Sequence, residues 1–321
     1  MTVKDVFELR KVGRVEEAYN AIMPMYKVHH GHYTTLCMFW CGCDMAKLHI
    51  NRGNSNDALR ILQSLARLYP DLEDKDLNAK QTLLNIAVQL AKADKSFSLL
   101  DFMQWWGIEN LKDVDFEAVQ SNGHPVPSRG QRIASRIFHE VKDCDEMERV
   151  RIAMPYIDLA LLHTPHNRNL KRAKALLLAK TGEKELAVAI YCELARYGKE
   201  AYIFSELAAL TDDKKEKLGL ICKAITLQRS EAFRQKDRLR LAELLQDVRP
   251  RLARYEVDQC VRVREANNQH NNRHINVLLR KLQNVAPASA KEQQEFYRKA
   301  IDKLLLPLSK DYTICGKKSY T

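Results

Sequence analysis

Apolar residues recur along this chain at helical spacing. From Asn169 to Gln246 they form stripes too narrow to be buried by a single helix, so the helices must pack side by side. Leu176-Leu177-Leu178-Ala179 ends one predicted helix, Thr181-Gly182 turns the chain, and Leu186, Ala187, Ile190, Tyr191 and Leu194 line the next. The order of a turn glycine, then Ala five residues later and a large residue nine later, fits Gly182, Ala187 and Tyr191. It recurs at Gly13, Ala18 and Ile22, and at Gly53, Ala58 and Leu62. That is the spacing of a tetratricopeptide helix pair. The fold predicted is all-α: a tetratricopeptide-like α-solenoid of antiparallel helix pairs with irregular repeats, coiled as a right-handed superhelix.

Gly13 and Gly53 are 40 residues apart rather than the standard 34, and His29 to His32 is read as an enlarged connection absorbing the difference. Further helices are predicted over Leu77–Ala93, Phe97–Trp106, Gln131–Val141, Glu146–Leu162, Ala201–Leu210, Lys214–Gln228, Phe233–Val248, Leu252–Ala266, Ile275–Leu282 and Lys291–Leu306, with Pro155 expected to kink or divide the one that contains it. Polar and turn residues concentrate around Asn122-Gly123-His124-Pro125-Val126-Pro127. The organisation expected is helical repeats over 1–115, a connecting segment 116–128, basic helical repeats over 129–286, and a linker, terminal helix and unpatterned tail over 287–321.

Charge changes the picture on one side only. The formal net charge is +11, yet residues 1–161 carry 20 Lys and Arg against 22 Asp and Glu, while 162–321 carry 32 against 19. Such a half attracts phosphate backbones or acidic partners, although Lys and Arg there also alternate with acids as on an ordinary solvated surface. No apolar run approaches the roughly 18 residues of a membrane span, and the N-terminus lacks the basic and apolar regions of a signal peptide, so a cytoplasmic protein is expected. Eight scattered cysteines inside helical patterns read as reduced, packed thiols.

Candidate chemistry is sparse. His29, His30, His32, Cys37, Cys41, Cys43 and His49 have the residue types zinc prefers, but Cys37 to Cys43 lies inside an apolar helix rather than on a turn. His139-Glu140 lacks the second His of a zincin helix, since residue 143 is Asp. His270 and His274 have metal-pair spacing without a nearby carboxylate, and Trp105-Trp106 reads as core packing rather than an aromatic ligand box. With no phosphate loop and no nucleophile elbow, neither catalysis nor a cofactor or metal is expected. What remains is the concave face, where the first helix of each pair would present Asn169, Arg172, Lys180, Lys199, Tyr202, Gln235 and Arg238. Cations and amides of this kind grip an acidic peptide, a carboxylate or a phosphate chain. The function expected is a non-catalytic scaffold or adaptor for a protein partner. The alternative is an accessory nucleic-acid binder using residues 162–321.

Several stretches taken together carry a resemblance: Phe7 to Arg14, Trp106 to Leu111, Asp115-Phe116-Glu117 leading to Pro125-Val126-Pro127-Ser128, Lys223-Ala224-Ile225 and Leu239 to Leu245. Over residues 5 to 306 the chain resembles a bacterial family of tetratricopeptide proteins whose members often carry a C-terminal OB-fold of the cold-shock type and are encoded in conflict or defence loci. The resemblance implies an α-solenoid and no activity. The chain departs from it where relatives continue into the nucleic-acid-binding barrel. Tyr312-Thr313-Ile314-Cys315 leaves room for a first strand only, so OB-fold binding does not carry over. At Ala201-Tyr202-Ile203-Phe204 relatives are richer in Trp.

Overall fold

A computed structural model describes residues 1–72, 77–121 and 123–304. The sequence readings on Leu305, Leu306 and the tail, including Tyr312 to Cys315, lie outside these. The described chain is all-α and helical-repeat-like, interrupted by one short hairpin, and it divides into two compact units, Met1–Leu170 and Lys171–Thr321. The division falls inside a helix and not at 116–128. No helix among the described residues is long and apolar enough to cross a membrane.

The first unit begins with α1 (Val3–Lys11), α2 (Val15–Val28), α3 (His32–Asn51) and α4 (Ser55–Leu68), each packed on the next. It continues through α5 (Leu77–Ala93), α6 (Leu99–Trp106), α7 (Arg129–Val141) and α8 (Met147–His163). The connection between α2 and α3 is only His29-His30-Gly31. Of the predicted connection only His32 differs, being the first residue of α3, which runs for 20 residues. Thr34, Thr35, Cys37 and Phe39 are buried there, so tertiary packing outweighs the poor helix propensity of Tyr33-Thr34-Thr35. Pro155 does not divide α8, which runs through it. Between α6 and α7 the turn-rich stretch forms a two-stranded antiparallel hairpin, β1 (Val119–Ser121) with β2 (His124–Val126), pairing Val119 with Val126.

The second unit holds most of α9 (Arg168–Thr181), then α10 (Lys184–Tyr197), α11 (Ala201–Leu210), α12 (Lys214–Leu227), α13 (Glu231–Leu245), α14 (Pro250–Ala266), α15 (Arg273–Lys281) and α16 (Ala290–Asp302). From α10 to α14 each helix packs on its successor. Helix α16 folds back against α12 and α14, and its approach to α12 is close: a Cβ on Gly219 would lie 2.9 Å from the Ala300 carbonyl oxygen.

The three predicted glycine turns share one geometry. Gly13, Gly53 and Gly182 have φ of 79°, 76° and 89°. The following N–H groups of Arg14, Asn54 and Glu183 reach back to the carbonyls of Leu9, His49 and Leu178 at 3.0, 2.9 and 2.9 Å. This is the six-to-one bond of a Schellman cap, which satisfies a terminal carbonyl and requires a left-handed residue. It reverses the chain so that Ala18, Ala58 and Ala187 are buried five residues later, followed by Ile22, Leu62 and Tyr191. No atom crowds a Cβ at Gly53, so Gly53→Ala is expected to cost only the backbone term, about 1–2 kcal/mol. A smaller loss for Gly53→Asn in denaturant unfolding of the first unit checks that attribution.

Alternate helices are joined side by side at nearly the same offset in both units. Arg10 of α1 donates to Asp44 of α3 at 2.5 Å, and Arg172 of α9 donates from Nε to Glu206 of α11 at 2.9 Å, each pair 34 residues apart. Ser205 of α11 donates to Asp237 of α13 at 2.6 Å, across 32 residues.

Candidate binding surfaces

The residues predicted to line a groove differ in exposure, and one of them is internal. Asn169 is exposed but belongs to the end of the first unit. In the second unit Lys199 is exposed, Tyr202 is 43% exposed, and Lys180 and Gln235 are half-buried. Arg172 is held bidentately by Glu206, which also accepts from the buried Tyr191 hydroxyl at 3.0 Å. The same guanidinium lies 4.6 Å from the centre of the Tyr202 ring. Burial, with the nearby Glu206 charge, pushes the Tyr191 hydroxyl far above its ordinary range, so it stays a neutral donor.

Arg238 is a correction. It is 5% exposed and faces the interior of its unit, because residue 238 is on the α13 face that packs against α14, within 3.4 Å of the Tyr297 hydroxyl of α16. Its Nη1 donates to Glu256 of α14 at 2.7 Å and its Nη2 to Glu231 at 3.0 Å. Tyr297 and Gln293 of α16 both donate to the other Glu256 oxygen. Burial pushes the Glu256 carboxyl up, opposed by Arg238 and by the Tyr297 and Gln293 donors. This is a structural network whose charges are consumed internally, which leaves Arg238 no role toward a guest.

The His and Cys candidates are dispersed in the same way. Cys37, Cys41 and Cys43 are buried in α3, with the first two sulfurs 3.9 Å apart, and burial pushes the Cys43 thiol up to about 12. His30 packs edge-on against Tyr26, and His49 sits 4.0 Å from Asp57. Among the described residues no group of three or more His, Cys, Asp or Glu is placed to hold a metal ion. Glu140 caps α6 instead, accepting from the Leu99 amide at 2.9 Å and from Arg149 at 2.8 Å. The fold gives His274 the carboxylate that its neighbours in sequence lack, Glu243 at 2.7 Å.

The surface that the sequence did not reveal lies in the first unit, around α4. On one side, Leu59, Leu62 and Ala66 of α4 with Phe97, Phe102 and Trp105 enclose a recess of about 450 Å³, rimmed by Gln63, Ser96 and Asp101. Trp106 is buried as predicted, but Trp105 is 58% exposed and forms a wall of this recess. On the other side, Tyr19, Tyr26, Met38, Gly42, Ile61 and Leu65 line a second recess of about 240 Å³. Arg67 borders both. It is exposed, and Asp71 lies with it on the rim of the second recess.

In comparisons with known proteins, the profile of a family described as "Domain of unknown function (DUF7017)" matches residues 170–303. The matched stretch runs from the start of the second unit to just past the end of α16. No curated protein matches the chain.

Proposed function

We propose that this protein is a non-catalytic, tetratricopeptide-like adaptor whose first unit binds a peptide segment carrying two large apolar side chains on either side of an acidic one. The observation that carries this reading is Arg67, an exposed cation on a ridge between two largely apolar recesses. An exposed Trp beside an Arg is the composition of an interface hot spot, where a few anchors supply most of the affinity. A guest carboxylate meeting Arg67 would form charge-assisted hydrogen bonds that set its register between the recesses. The shared glycine caps and the 34-residue offset between neighbouring alternate helices support the tetratricopeptide-like solenoid. The conflict-locus setting and the cytoplasm extend that reading.

Selection of random peptides on the purified full chain tests it. Enriched sequences are expected to share the apolar–acidic–apolar pattern. Their affinity should fall by about 2 kcal/mol or more in Trp105→Ala and in Arg67→Glu, neither of which removes a packed core residue. Enrichment of unrelated patterns, or binding indifferent to both substitutions, would refute the site.

A further inference from the structure

We infer that one end of the second unit binds single-stranded nucleic acid, with bases stacked on exposed aromatic rings and phosphates met by Lys and Arg. The links 198–200, 211–213 and 228–230 are three residues each and join helices that pack on one another, so successive links alternate between two ends of the row. The α10–α11 and α12–α13 links therefore share one end. The stacking of Arg172 on Tyr202 brings the start of α9 there too.

That end carries three exposed aromatic rings: Tyr197 at the close of α10 is 76% exposed with Arg196 6.0 Å from its centre, Phe233 at the start of α13 is 74% exposed, and Tyr202 at the start of α11, with Arg172 on one face, is 43% exposed. The cations Lys199 and Arg229 lie between them in sequence, exposed and meeting no carboxylate among the described residues. Of the acids of this end, Glu231 pairs with Arg234 and Arg238 and Glu206 with Arg172 and Tyr191, while Glu200 lies in the α10–α11 link beside Lys199. The opposite end has a different composition. Asp212 pairs with Lys184, Asp213 caps α12, and the large exposed apolar side chains are Leu186 and Val248, neither of them aromatic.

Rings interleaved with cations match the two requirements of a single strand, since every base has a π-face and every linkage a charge. Adjacent helices pack about 8–10 Å apart, so rings on α11 and α13 are spaced to take different bases of one extended strand. An acidic peptide would use the cations and leave the rings idle. A duplex would hide its base faces.

Fluorescence anisotropy of the full chain with a labelled 20-mer of thymidylate tests this from about 50 to 200 mM salt, beside a duplex of equal length and polyglutamate. Tyr197→Ala combined with Phe233→Ala is expected to weaken single-strand binding about tenfold or more while leaving its salt dependence intact. Lys199→Glu combined with Arg229→Glu is expected to reduce the salt slope by about 0.7 for each phosphate that the protein no longer neutralises. All four positions are exposed, so unchanged circular dichroism should accompany both effects. The inference is overturned by no binding at low salt, by equal binding of the aromatic variant, or by duplex or polyglutamate binding as tightly as the single strand. Selected peptides bound at Arg67 should be unaffected by these substitutions, which separates this outcome from the proposed adaptor role.

Discussion

Replacing Glu256 with Ala is expected to destabilise the second unit by about 3–5 kcal/mol, because it leaves the Arg238 guanidinium buried without its principal counter-charge. Tyr297 and Gln293 lose their shared acceptor at the same time. Glu256→Gln should lose less, since an amide oxygen still accepts from both but no longer neutralises Arg238. Hydrogen exchange separates the effect from the rest of the chain: protection should fall in α13, α14 and α16 and persist in α1 to α5. Equal loss in both units, or none, would show that the network is not what holds α16 in place. Chain truncations that remove α16 are predicted to resemble Glu256→Ala for the same reason.

The second large effect is expected at Asp115, which is fully buried and receives Lys80 at 3.0 Å and Arg129 at 2.6 Å. Asp115→Ala strands two cations at once, at a cost of about 3–5 kcal/mol to the first unit. Burial opposes the charge on this carboxyl, but the Lys112 amide, Lys80 and Arg129 outweigh it and hold the carboxyl below its ordinary value. The sign of the pH effect follows. A carboxylate whose pKa is lowered by folding contributes stability above its unfolded value near 4, and that contribution disappears as pH falls through the folded value. The first unit should therefore weaken below about pH 4 in denaturant titrations, and Asp115→Asn should flatten that part of the curve. A variant as acid-sensitive as the parent would assign the effect to other carboxylates.

What the sequence revealed was local, and what it hid was not. Gly13, Gly53 and Gly182 were legible because a Schellman cap is set by neighbouring residues, and the buried Ala that follows each is fixed by helical period. The extra residues between Gly13 and Gly53 were assigned to a connection, whereas most of them are taken up within α3, held there by packing from other helices. The exposure of Trp105 carried a signal that could have been used. Adjacent helix residues point about 100° apart, so where a helix is covered on one side only the second of two neighbouring Trp side chains is turned toward solvent. Arg238 looked like a groove residue because the partners that bury it, Glu256 and Tyr297, are 18 and 59 positions away, beyond the reach of any spacing rule. The recesses beside Arg67 combine α4 with α2, α3 and α6 and could not be assembled from one stretch.

The return of α16 to α12 and α14 also orders events during synthesis. A ribosome releases Arg238 and Glu256 well before Tyr297, which lies 41 residues after its carboxylate partner. Until that stretch emerges, the nascent chain holds an ion pair with an uncovered side, open to water and to chaperones. Completion of this half of the protein is thus a late, post-exit step. Slowing elongation upstream of codon 290 should prolong the vulnerable interval without altering the finished molecule.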